Sequence, residues 1–68
     1  MDTHKIRRTV MNRFSEASIG EIKSFIDATY DMSKKVAGQG EIAEKWVIVR
    51  IALEDLLESR MNAFINAL

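Results

Sequence analysis

The apolar positions of the chain fall into three segments with helical spacing, separated by two short stretches that contain serine or glycine. In the longest segment, residues 41–67, apolar side chains recur three and four residues apart and charged side chains lie opposite them. This spacing is typical of an amphipathic helix with one buried face. The predicted buried stripe consists of Ile42, Trp46, Val49, Leu53, Leu56, Leu57, Phe64 and Leu68.

The middle of this segment is apolar on more than one side. Its β-branched residues over 46–53 are also compatible with a strand, but no turn signal bounds the run, and the flanking residues favour a helix. Val47, Ile48 and Ile51 lie off the main stripe. A helix that is apolar most of the way round is buried on several sides, so the pattern indicates self-association.

Two further helices are predicted upstream, over about residues 3–14 and 18–37. Asp2 or Thr3 can cap the first helix. Ser18 and Glu21 have the spacing of a capping box at the start of the second. Gly38-Gln39-Gly40 predicts a tight turn over residues 38–40.

So short a turn predicts that the second and third helices are antiparallel neighbours. Because the third helix is longer than the second, we expect the first helix to continue the line of the second, with Val10 and Phe14 facing Phe64 and Leu68. The predicted fold is an all-α single domain over residues 1–68. It is an antiparallel helical hairpin, with a short N-terminal helix and two long helices, that dimerises into a helical bundle.

Length and composition support the expectation of a dimer. A chain of 68 residues with no cysteine and one histidine has neither a disulfide nor the ligands of a structural zinc site. Small domains without such links are commonly stabilised by oligomerisation, and 47% of the residues are hydrophobic. The residues expected at a dimer or partner interface are Trp46, Val47, Ile48, Ile51, Phe64 and Ile65.

Two arginines interrupt the apolar face of the third helix. Arg60 is expected to have a structural role, either by pairing with Glu16 or Glu21 or by donating to carbonyl groups at the end of the first helix; contact with a ligand or partner is the alternative. Arg50 is expected to pair with Glu54 or with an acidic residue across the dimer, because an unpaired buried arginine is costly; the alternative is that it is a binding residue.

The first helix carries most of the candidate binding chemistry for nucleic acid. Lys5, Arg7, Arg8 and Arg13 could contact phosphates. The rest of the chain is acidic, however, and neither helix-turn-helix nor ribbon-helix-helix spacing is present. Nucleic-acid binding is therefore the alternative function, and membrane-surface association through this basic helix is a third hypothesis.

The sequence argues against catalysis and against cofactors. It lacks a cysteine nucleophile and a glycine-rich phosphate loop, and its single histidine is four residues from the start. The acidic cluster of Glu54, Asp55 and Glu58 is interpreted as a solvated face rather than a metal site. No apolar run is long enough to span a membrane. The sequence thus predicts a cytoplasmic, non-enzymatic, homodimeric protein that binds another macromolecule as an inhibitor, adaptor or accessory subunit.

Overall fold

The computed structural model describes residues 2–68, and Met1 lies outside the described residues. These residues form three α-helices: α1 (Thr3–Arg13), α2 (Ile19–Lys35) and α3 (Glu41–Ala67). No strand occurs in residues 2–68, so the all-α prediction is confirmed and the strand alternative for residues 46–53 is wrong.

Side-chain caps fix the starts of α1 and α2. The Lys5 amide donates to the Asp2 carboxylate at 3.0 Å, which makes Asp2 the N-cap of α1. The Glu21 amide donates to the Ser18 hydroxyl at 3.1 Å, and the Ser18 amide donates to the Glu21 carboxylate at 3.5 Å. The predicted capping box is therefore confirmed; such caps satisfy amides that have no partner within the helix.

The connection between α2 and α3 begins earlier than the glycines predict. α2 ends at Lys35 rather than at residue 37. The chain then tightens, with the Gln39 amide donating to the Val36 carbonyl at 3.0 Å. Gly38 and Gly40 have φ angles of 81° and 58°. These positive values favour glycine, so the two glycines allow the chain to turn immediately before α3.

α3 is the central element of the fold. It packs against both α1 and α2, whereas within residues 2–68 the backbones of α1 and α2 do not approach each other closely. The packed chain is elongated, with principal extents of 44 × 23 × 15 Å. Its core draws on all three helices and contains Val10, Ile22, Ile26, Ala52 and Leu53.

The predicted position of α1 is wrong. The sequence placed α1 in line with α2 and beside Phe64 and Leu68, but both of these residues are exposed. Instead, the start of α1 lies beside the start of α3, where Lys5 and Val10 line a groove with Lys45.

The remaining contacts show that α1 runs beside the first two thirds of α3. The Arg7 guanidinium lies 2.8 Å from the Asp55 carboxylate, and Arg60 donates to the Phe14 carbonyl at the end of α1. Ala52, fully buried in the same cluster as Val10, has a side chain small enough to let a second helix approach closely. This position for α1 leaves the last turns of α3 uncovered.

The predicted buried stripe of α3 is therefore only partly buried. Leu53 is fully buried and Val49, Leu56 and Leu57 pack against the core. Exposed members of the stripe are found at both ends of α3: Ile42, Phe64 and Leu68.

One polar residue of α2 is fully buried. Thr29 donates its hydroxyl to the Ile26 carbonyl at 2.6 Å, so its polar group is satisfied within its own helix.

Candidate interaction surface

The predicted interface residues of α3 differ in how much of each side chain the rest of the chain covers. Trp46 and Ile48 are half-buried. Val47 and Ile51 are exposed in the first half of the helix, and Phe64 and Ile65 are exposed in the last turns. Part of each of these four side chains stays exposed after α1 and α2 have packed, so they contribute apolar surface that is available to another molecule.

The last two turns of α3, residues 61–68, form what we name the distal segment. Phe64, Ile65 and Leu68 are 61%, 59% and 90% exposed, and Met61 is also exposed. The segment Met-Asn-Ala-Phe-Ile-Asn-Ala-Leu contains no charged side chain. It is an amphipathic helix end whose apolar stripe stays largely exposed.

A groove joins the distal segment to the body of the fold. Ile26 of α2 and Leu57, Met61 and Ile65 of α3 provide its apolar lining. The groove has a volume of about 400 Å³. Its polar lining residues are Glu54, Glu58 and Asn62.

Arg60 fixes the bend between α1 and α2. Its guanidinium donates to the Ala17 carbonyl at 2.8 Å, to the Phe14 carbonyl at 3.3 Å, and to the Ser15 carbonyl. This is the second of the two arrangements expected from the sequence, in which the arginine satisfies carbonyl groups at the end of the first helix. A charged donor forms stronger hydrogen bonds than a neutral one, so Arg60 holds this bend against α3.

The two glutamates expected as partners of Arg60 lie elsewhere. Glu21 accepts the Ser18 amide in the capping box, and Glu16 is exposed in the connection before α2. An edge-to-face contact between Phe14 and Phe25, with ring centroids 4.8 Å apart, closes the same bend. Such aromatic pairs add to the stabilisation that burial provides.

Arg50 contacts residues of two helices. Its guanidinium is 3.9 Å from the Glu54 carboxylate, one turn further along α3. It also lies over the Tyr30 ring of α2, 4.5 Å from the ring centroid. This cation–π contact was not predicted from the sequence. The signal that could have indicated it is the predicted antiparallel pairing of the second and third helices, which brings residues of α2 beside residues of α3.

The four basic residues of α1 are not gathered into one patch. Arg7 is turned toward α3, where it pairs with Asp55. Lys5 lines the groove between α1 and α3 together with Lys45, Asp2 and Glu41. Arg8 and Arg13 are exposed. The structure therefore places acidic side chains near two of the four predicted nucleic-acid contacts.

Within residues 2–68, no group of three histidine or acidic side chains is arranged to hold a metal ion. None of the three described helices has a window that is long and apolar enough to cross a bilayer.

Comparison of the chain with protein-family models, with curated proteins and with solved structures finds no match.

Proposed function

We propose that this chain is a non-enzymatic interaction protein that forms a homodimer and binds another macromolecule as an inhibitor, adaptor or accessory subunit. In this proposal α2 and α3 form an antiparallel hairpin, and α1 supports the outer side of α3. Two hairpins then associate through α3 into a helical bundle.

The observation that supports the proposal is the exposed apolar surface of α3. Val47, Ile51, Phe64 and Ile65 remain exposed after α1 and α2 have packed. Exposed apolar patches on a small protein commonly mark interaction sites. A domain of this size also gains little stability from its own core, so covering this surface stabilises the fold as well.

The alternative, nucleic-acid binding through α1, has less support. Arg7 is paired with Asp55, and Lys5 shares its groove with Asp2 and Glu41. Formal net charge is zero, which gives little long-range attraction to phosphate. If nucleic acid is the partner, binding to a duplex will weaken steeply with salt and will be lost in the combined Lys5→Ala and Arg8→Ala variant.

The proposal is tested by removing the apolar surface without disturbing the core. In a combined Ile51→Asn and Ile65→Asn variant, both exposed regions of α3 become polar, and we expect a monomer by sedimentation velocity. The matched control changes two other exposed positions of α3, Glu44→Asn and Ala63→Asn, and is expected to remain dimeric. Equal masses for the two variants would contradict the proposal, provided that circular dichroism shows equal helix content.

A further inference from the structure

We infer that the distal segment, residues 61–68, pairs with the same segment of a second copy in antiparallel orientation. The inference rests on the proposed dimer and assigns its contact surface. It separates two exposed apolar regions of α3 that have different charge surroundings.

The spacing of exposed side chains along α3 defines the available seam. Val47, Ile51, Glu54, Glu58, Met61, Ile65 and Leu68 follow one another at intervals of four and three residues. This is the spacing of the contact positions in a two-stranded coiled coil. The seam is apolar at both ends and acidic in the middle, so its ends differ from its centre in what they can bind.

The acidic centre opposes pairing of two complete seams. In a parallel dimer, Glu54 and Glu58 of one chain would lie against the same residues of the other. In an antiparallel dimer that overlaps from Val47 to Ile65, Glu54 would face Glu58 of the second copy. Like charges at contact positions are unfavourable in either case, and they oppose both arrangements.

Pairing that is confined to the distal segment avoids this repulsion. The segment has no charged side chain, and an antiparallel overlap carries the two Glu54 residues away from each other. In the coiled-coil register, Met61 lies opposite Ile65 of the second copy, and Leu68 reaches Glu58 at the edge. Phe64 flanks the seam on the side of Leu57 and lies near the two-fold axis.

The groove beside the seam extends this contact. Because Ile26 and Leu57 line it together with Met61 and Ile65, Leu68 of the second copy can pack at its Ile26 end. The distal segment is about 12 Å long at 1.5 Å per residue. This is a short contact compared with a standard interface, which buries about 800 Å² on each partner. We therefore expect a weak, reversible dimer whose population increases with protein concentration.

Cysteine cross-linking tests this arrangement because the natural chain contains no cysteine. We would prepare Met61→Cys, Ile65→Cys and Val47→Cys as separate variants, each at an exposed position. A disulfide requires Cα atoms within about 7 Å. Under mild oxidation, an equimolar mixture of Met61→Cys and Ile65→Cys is expected to yield a covalent heterodimer. Each variant alone, and Val47→Cys in any mixture, is expected to stay largely uncross-linked.

Other cross-linking results would contradict the antiparallel arrangement without contradicting the dimer. Efficient self-cross-linking of Ile65→Cys and Met61→Cys separately would indicate parallel pairing and would overturn the inference. A covalent product from mixed Val47→Cys and Ile65→Cys would indicate the antiparallel overlap from Val47 to Ile65 and would also overturn the inference. In both cases the dimer itself would stand. A protein that is monomeric at every concentration would instead overturn the proposed function as well.

A second readout does not depend on oxidation. The single variant Ile65→Asn is expected to weaken dimerisation at least tenfold, whereas Ile51→Asn is expected to leave it within twofold. A larger loss of dimerisation in Ile51→Asn than in Ile65→Asn would show that the first half of α3, rather than the distal segment, binds the second copy.

Discussion

The Arg60 guanidinium links α3 to the bend between α1 and α2. It donates to three backbone carbonyls in the bend between α1 and α2, at Phe14, Ser15 and Ala17. A single charged group therefore satisfies the Ser15 and Ala17 carbonyls and adds a second donor to the Phe14 carbonyl, which also accepts the Ala17 amide. Hydrogen bonds from charged donors contribute more than those from neutral ones.

The Arg60→Ala variant is expected to lower the free energy of unfolding by about 2–3 kcal/mol, because a charged donor is lost and the carbonyls lose a shared partner. Arg60→Lys should recover only part of this loss, since one ammonium group lacks the planar fork of donors. Urea denaturation measures both. The exposed Arg13 provides the control, and Arg13→Ala should change stability by no more than about 0.5 kcal/mol. Equal effects at positions 60 and 13 would contradict the role assigned to Arg60.

Leu53 and Ile51 are close in sequence but opposite in burial. Leu53 is fully buried, whereas Ile51 is 48% exposed. Leu53→Ala is expected to cost about 2–5 kcal/mol of unfolding free energy, through lost burial and the cavity that remains. Ile51→Ala should cost much less. Thermal unfolding of the two variants at one protein concentration measures the difference, and a similar loss in both would show that the core is centred elsewhere.

At the scale of the element, local capping determines where α2 begins. Ser18→Ala removes the hydroxyl that accepts the Glu21 amide, and is expected to cost about 1 kcal/mol. Ser24 lies exposed within α2, so Ser24→Ala removes a hydroxyl without removing a cap and should be neutral or slightly stabilising. Chemical denaturation distinguishes the two. A loss at Ser24 as large as the loss at Ser18 would show that the capping box contributes nothing specific.

The glycines of the chain differ in what alanine would cost. Gly40 has a φ of 58° and a ψ of −117°, a conformation that alanine rarely adopts. Gly40→Ala should destabilise the protein by about 1–3 kcal/mol. Gly20, by contrast, lies in the first turn of α2, where an added Cβ would meet only the Ser18 hydroxyl at 3.9 Å. Gly20→Ala should therefore stabilise by up to about 1 kcal/mol. In thermal unfolding, a lower melting temperature for Gly40→Ala and a higher one for Gly20→Ala would support the turn geometry. Changes in the same direction for both variants would contradict it.

The sequence was most informative about local structure. Helical spacing and caps indicated the all-α class, and the paired Ser18 and Glu21 indicated the start of α2. Local signals carry this information because caps and apolar periodicity depend on residues only a few positions apart. The structure places the end of α2 at Lys35, two residues earlier than predicted. The last residues of a helix can form a tighter turn without any change in the spacing of apolar residues.

The position of α1 could not be obtained in the same way. It depends on contacts between distant residues, such as Arg60 with the Phe14 carbonyl and Arg7 with Asp55. Matching helix lengths favoured an extended arrangement, whereas the small, fully buried Ala52 allows α1 to pack beside α3. The same error made Phe64 and Leu68 part of the predicted core. Their exposure is what makes the distal segment a candidate contact surface.

At the scale of the whole molecule, α3 both supports the fold and exposes an apolar surface. Its first two thirds bind α1 and α2, and its last turns extend beyond them with Met61, Phe64, Ile65 and Leu68 exposed. Burying these side chains against a second copy would remove apolar surface from water without disturbing the core. The proposed dimer therefore depends on the exposed end of α3.

The proposed dimer is tested by the molecular mass of the unmodified protein in solution, measured by sedimentation equilibrium across concentrations from about 1 to 500 micromolar. We expect a mass that rises with concentration from the 7.8 kDa of one chain toward twice that value. A mass that stays at that of one chain over the whole range would contradict it.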